Sequence, residues 1–188
     1  MAVNTLPRDY DLGRIIDDYE RRIAFLERRL TALFGSASPE SVATQGARVT
    51  STANQSINNN TQTTVVFDAE LYDNNAMHDN GVNNSRITIN VPGLYTVGFN
   101  GEFTSGNDYN RVIGSILVNG ATVIAREQTP GTGVAAPPRV GVTTTRLLAA
   151  GDYIEAQAFQ SNTAAAARNL LLLSEYSPIM YAARIGAS

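Results

Sequence analysis

Leu94 to Phe103 reads LYTVGFNGEF, and the alternation in this decapeptide decides the fold class. Tyr95, Val97, Phe99 and Phe103 fall two or four residues apart. In an extended chain successive side chains point to opposite sides, so this period gathers the four on one face of a strand. A second signal follows at ILVNGATVI, Ile116 to Ile124. There Asn119-Gly120 can take the two positive φ values of a type I′ turn, which joins two apolar strands into a hairpin.

Working outward, segments of the same kind recur. ARVTSTA (47–53), TTVVFD (63–68) and RITIN (86–90) precede the decapeptide, which extends to Thr104. RVIGSILV (111–118), ATVIAREQ (121–128), RVGVTTTRLL (139–148) and DYIEAQAFQ (152–160) follow it. NLLLL (169–173) and PIMYAARI (178–185) close the series. Pro92-Gly93 reads as a type II turn, and TPGTGVAAPP (129–138) as a long loop. About ten strands with no helical period between them predict a mainly β chain: an antiparallel β-sandwich of the jelly-roll kind.

The N-terminal segment differs. Leu12, Ile16, Tyr19, Ile23, Leu26, Leu30 and Leu33 are spaced 4, 3, 4, 3, 4, 3, a heptad pattern. Ile16, Ile23 and Leu30 take the a positions; Leu12, Tyr19, Leu26 and Leu33 take d. Pro7 suits the first helical turn, and GSASP (35–39) supplies a glycine and proline stop. Gly13 weakens a helix interior by about 1 kcal/mol, which places the firm part from Arg14 onward. A helix docked on its own domain shows a broader apolar face than this a/d seam. An isolated helix of this length is marginal in water, so the pattern predicts a coiled coil of several chains. The expected organisation is an anchor and coiled-coil helix at 1–34, a linker at 35–45 and a jelly-roll head at 46–188.

Composition removes several function classes. The 188-residue chain is 43% hydrophobic and 16% charged, with a net charge of −3, so no basic surface for nucleic acid is expected. Zero cysteine excludes disulfides, thiolate metal sites and a cysteine nucleophile. All fourteen basic residues are Arg. MAVNTLPRDYDLG lacks the charged and apolar regions of a Sec signal, and NLLLLSEY is far shorter than a membrane span. Neither export by that route nor membrane insertion is expected.

Across VVFDAELYDNNAMHDNGVNNSRITINVPGLYTVGFNGEF, Val65 to Phe103, the chain resembles a known family. It is similar to the jelly-roll head shared by the complement globular-head (subcomponent q) and tumour necrosis factor superfamily, above all to the version on phage virion proteins. The carrying pieces are Phe67-Asp68, YD…MHD from Tyr72 to Asp79, NNSRIT at 83–88, PGLY at 92–95, VNG at 118–120, AGDYIE at 150–155 and SPIMYAARI at 177–185. The likeness runs from about Ala47 to Ile185, and it implies a compact homotrimer of sandwiches. RIAFLE, Arg22 to Glu27, likewise resembles the trimerisation signature Arg-h-x-x-h-Glu, where h is apolar. It puts Arg22 at g and Glu27 at e, placed to pair between neighbouring chains. The heptad RLTALF keeps Arg29 but lacks the Glu. Ile at a with Leu at d leans towards two strands, but signature and head resemblance together favour three.

Catalytic chemistry finds little footing. His78 is the only histidine, and its place in MHD points to a structural hydrogen bond. Asp73 and Asp79, with Asn74, Asn75 and Asn80, offer oxygens for calcium, but their spacing matches no EF-hand loop. Asn clusters more often build turns. Asp68/Glu70 and Asp152/Glu155 are the acidic pairs a glycosidase would need, although Asp152 reads as a turn cap. No cofactor, resident metal or enzymatic activity is expected.

The expected function is structural: a short homotrimeric spike or fibre on the surface of a phage virion, tail-associated or capsid-decorating. Its N-terminal segment would meet other virion proteins. Its head would bind a host cell-surface glycan through DNNAMHDNG (Asn74, Asn75, His78, Asp79) and SGNDYN (Asn107, Asp108, Tyr109). Alternatives are a decoration protein that recognises nothing and a bacterial cytokine-like or spore-surface trimer. Phe103, Phe159 and Tyr181 are the aromatic candidates for the seam at a three-fold axis.

Overall fold

The computed structural model describes residues 12–34, 45–174 and 176–187, without the side chains of residues 12 and 30–34. The chain divides into two compact units, Met1–Ala43 and Thr44–Ser188. In the first, α1 spans Leu12–Phe34, so it starts two residues ahead of the expected Arg14. Pro7, the proposed anchor at 1–11 and the GSASP stop lie outside the described residues, as does the linker up to residue 44.

The second unit is mainly β. Its strands are β1 (Gly46–Thr50), β2 (Gln55–Ile57), β3 (Thr63–Thr64), β4 (Ala69–Asp73), β5 (Arg86–Thr88) and β6 (Gly93–Glu102). Then come β7 (Tyr109–Val118), β8 (Thr122–Pro130), β9 (Arg139–Leu148), β10 (Tyr153–Asn162), β11 (Arg168–Leu170) and β12 (Ile179–Gly186). One sheet runs β4-β1-β12-β6-β9 and the facing one β3-β10-β7-β8, with β5 also paired to β10. Strand β11 pairs β2 in a third, two-stranded sheet. Every strand pairing is antiparallel. The architecture is the expected jelly-roll sandwich.

The alternation that predicted β6 is the alternation that fills the core. Tyr95, Val97, Phe99 and, just past the strand, Phe103 are fully buried, while Leu94 and Asn100 face outward. They meet Ile154, Ala156 and Ala158 of β10 with Val112 and Ile116 of β7 in one continuous core. The Tyr95 hydroxyl donates to Val91 O at 2.7 Å, which satisfies the polar tip of a buried ring. Asn119 and Gly120 have φ of 54° and 68°, the two positive values a type I′ turn requires.

Three expectations are corrected. The described residues form twelve strands, because β2 and β4 add pairing where the sequence read as loop. Val65–Asp68 forms no ladder although its alternation is real: Val65 and Phe67 are buried and Val66 is exposed. The segment changes partner as it goes, with Val65 N–H donating to Ala156 O and Phe67 N–H to Asn84 O. Leu171 to Leu173 fail as a strand for the same reason, donating in turn to Glu102 O, Asn54 Oδ1 and Ser177 O. Finally, Gly93 has no positive φ and opens β6 instead of serving a type II turn. A Cβ there would come within 2.5 Å of Gly186 O and Arg184 Nε.

The registers also orient the head. Gly46, where the chain enters, pairs with Ala183, which pairs with Thr96. At the other end of β1, Thr50 pairs with Ile179, in turn beside Asn100 and Gly141. Glu102 and Arg139 pair two residues farther along, so the 103–108 and 131–138 loops stand at the end away from the entry.

Candidate functional site

The first candidate is the helix. Ile16, Tyr19, Ile23 and Leu26 are between 54% and 62% exposed, so more than half of the surface of each residue in the described part of the a/d seam is open. Arg22 and Glu27 are exposed beside it. Ile15 and Phe25 are exposed as well, and the Arg29 guanidinium lies 5.8 Å from the Phe25 ring centre. The side chains of Leu12, Leu30 and Leu33 lie outside the described residues.

The second candidate, the loop DNNAMHDNG, is braced from within. Asp73 accepts backbone N–H groups from Asn75, Met77 and His78 at 2.9–3.1 Å. Asp79 Oδ1 accepts those of Gly81 and Val82. His78 is buried, its Nδ1 lying 2.6 Å from Arg86 O and its Nε2 2.8 Å from Phe67 O. The only histidine is thus a structural staple, with no hydroxyl or carboxylate in its hydrogen bonds. Of the two calcium candidates, Asp73 holds backbone amides with both oxygens and Asp79 with Oδ1. Among the described residues no group of three His, Asp or Glu gathers. Asn74 and Asp79 remain exposed.

The loop SGNDYN is braced too. Tyr109, expected to contribute to glycan binding, is buried, and its hydroxyl donates to Thr104 O at 2.8 Å. Asp108 takes both oxygens to Arg168 Nη2 at 2.6–2.7 Å, and the Arg168 guanidinium sits 5.7 Å from the Tyr109 ring centre. Burial pushes the Tyr109 hydroxyl up to about 12, while Arg168 opposes the shift. Only Asn107 of the three residues named in this loop is exposed.

Three of the four residues in the acidic pairs are engaged as well. Asp68 accepts from Thr52 N and Thr52 Oγ1, each at 2.6 Å. Asp152 caps its turn through Ala149 N–H and holds Asn119 Nδ2. Glu155 receives Ser85 Oγ and Arg86 Nε. The Thr52 hydroxyl lowers the Asp68 pKa most, the Asn119 amide that of Asp152, and the Val82 amide that of Asp79. Groups held below their ordinary 3.8 stabilise the fold above that value and lose the contribution as pH falls through their folded values. Tyr109 works in reverse: its contribution is complete below pH 10 and disappears between 10 and about 12. Thermal melts should therefore drop on the acid side below about pH 4 and on the alkaline side above about pH 10, with a plateau between. An alkaline limb unchanged by Tyr109→Phe would refute the second assignment.

Of the aromatic seam candidates, Phe103 belongs to the buried core and Phe159 is buried beneath Arg111, whose guanidinium is 5.5 Å from its ring centre. Tyr181 lies on the outward face of the five-stranded sheet, its ring over Gly98 and its hydroxyl 2.9 Å from Thr143 Oγ1. What sequence reading missed is a group at the far end of the head: Asn100 and Glu102 of β6, Glu127 of β8, Arg139 of β9 and Tyr176. They are up to 76 residues apart in the chain, and only strand register brings them together. No local motif marks them.

No protein-family profile and no curated protein matches the sequence. Solved structures do. Murine APRIL is similar at a TM-score of 0.58 and 12% identity, over 76% of this chain and 99% of that one. The tumour necrosis factor Eiger of S. frugiperda matches at 0.54 and 12%, over 78% and 95%. The globular domain of zebrafish complement 1qA matches at 0.50 and 13%, over 77% and 99%. At such identities the likeness is one of fold, and it is the fold that the sequence motifs implied.

Proposed function

We propose that this chain is the protomer of a short homotrimeric, non-enzymatic spike on a phage particle, tail-associated or capsid-decorating, whose head binds the host surface. The observation that carries the reading is the helical unit with its exposed apolar a/d residues. Twenty-three helical residues give a stalk of about 35 Å, and its exposed a/d seam suits packing against other copies of itself. The jelly-roll head, the fold of the tumour necrosis factor and complement heads, supports three copies over two. The motif order from Phe67 to Ile185 supports the virion, and the N-terminal residues are the part assigned to contacts with other virion proteins. Three weak head sites on one stalk would gain affinity by acting together.

Light scattering should return three times the 20.1 kDa chain mass. A clean dimer would overturn the three-stranded reading, and absence of antibody label from intact particles in electron micrographs would overturn the virion. Arg22→Ala and Glu27→Ala should each loosen the trimer modestly, by roughly 0.5–1 kcal/mol, because exposed ion pairs are screened. The loss should shrink in high salt, as followed by sedimentation at low protein concentration.

A further inference from the structure

Two recesses open on either side of Arg139, at the end of the head away from Gly46. The first encloses about 300 Å³ and is bounded by Asn100, Glu127, Arg139 and Tyr176. The second, about 410 Å³, is walled by Tyr109, Pro130, Pro137 and Pro138. Their chemistry differs.

The side chains of Asp73, His78, Asp79 and Asp108 are engaged within the head. In the first recess several polar atoms are left open. Glu127 gives only Oε2 to the Gly141 N–H, at 3.0 Å. Its Oε1, the Asn100 amide and the terminal nitrogens of Arg139 hold no hydrogen bond to another described residue. Arg139 uses Nε alone, on the buried Glu102. Beside them the Tyr176 ring is 49% exposed, with the guanidinium 6.0 Å from its centre.

A carboxylate acceptor, an amide that both donates and accepts, guanidinium donors and an open aromatic face surround space for a single ring. That combination complements a pyranose, whose hydroxyls both donate and accept and whose C–H face packs on an aromatic. Two carboxylates against one guanidinium disfavour an anionic sugar. In the second recess Thr129 Oγ1 already donates to Arg139 O and the Gly131 N–H to Asn110 O, which leaves a largely apolar wall. An apolar substituent reaching past Arg139 would be taken up there.

We infer that this end of the head binds a neutral N-acetylhexosamine residue of a cell-surface glycan, its ring against Tyr176 and Glu127 and its acetyl methyl towards the proline wall. The inference rests on the host-recognition reading above and gives it a site. Calorimetric titration of the full chain with methyl glycosides of N-acetylglucosamine and N-acetylgalactosamine should show saturable binding of at least one. The matching hexose without the acetamido group should bind at least tenfold more weakly. Tyr176→Ala and Glu127→Gln should each weaken binding at least tenfold with mass and melting temperature unchanged. Failure of both acetamido sugars to bind, or variants that bind as well as the parent, would overturn the site. Retention on intact host cells separates the two claims. Cells that hold parent and variants alike leave recognition standing and remove this site; cells that hold none of them remove the recognition reading itself.

Discussion

Ile23→Asp should reduce the assembly to single chains while leaving the head folded. Ile23 is 54% exposed in the single chain, and Phe25, two residues on, is 58% exposed, so exposure alone does not tell them apart. The heptad does: Ile23 is at a and Phe25 at c, outside the seam. In a trimer each Ile23 would lose its water-facing surface, which stabilises by roughly 1.5–3 kcal/mol per copy. An Asp there forfeits that gain and sets three carboxylates around one axis in an apolar layer, where burying an unpaired charge is heavily unfavourable. The helix, marginal alone, should lose much of its signal at 222 nm with the partner chains. Phe25→Asp should change neither mass nor helicity. If both variants stay trimeric, the heads hold the assembly and the helix does not; if both dissociate, the heptad register is wrong.

The contrast between what was and was not legible in the sequence follows the range of the interactions. Tyr95, Val97 and Phe99 could be assigned to the core because a strand's period is written in consecutive residues, and Asn119-Gly120 because a tight turn's backbone requirement is local. The helix at Leu12–Phe34 was legible for the same reason. Val65–Asp68 misled because alternation reports which side chains are buried, and a ladder needs a partner strand in step as well. Tyr109 misled further: in SGNDYN it reads as an exposed aromatic among polar residues. Only the packing of Arg168, 59 residues downstream, shows it covered and its neighbour Asp108 paired. The recess around Arg139 is the extreme case, since its side chains come from three strands and a turn whose registers no short window encodes.

His78→Ala should destabilise the head by about 3 kcal/mol, a fall in melting temperature of about 10 °C for a domain of this size. The ring lies between two carbonyls, Arg86 O at 2.6 Å and Phe67 O at 2.8 Å. Each buried carbonyl left without a donor costs about 1–3 kcal/mol, far more than the net worth of the bond it made. A neutral imidazole donates through one nitrogen only, so the two carbonyls do not contribute equally, and about 3 kcal/mol lies between the loss of one donor and the loss of two. His78→Gln, whose amide can still reach one acceptor, should recover part of the loss. The same staple anchors the loop from both sides, because the His78 N–H is one of three backbone donors that Asp73 holds. Asp73→Ala should therefore be costly alone, but adding it to His78→Ala should cost less than the sum, as side chains that brace one segment couple. Additive losses would mean that the ring and the carboxylate hold separate structures. An unchanged melting temperature in His78→Ala would mean that water replaces the ring without penalty, which the burial of Phe67 O argues against.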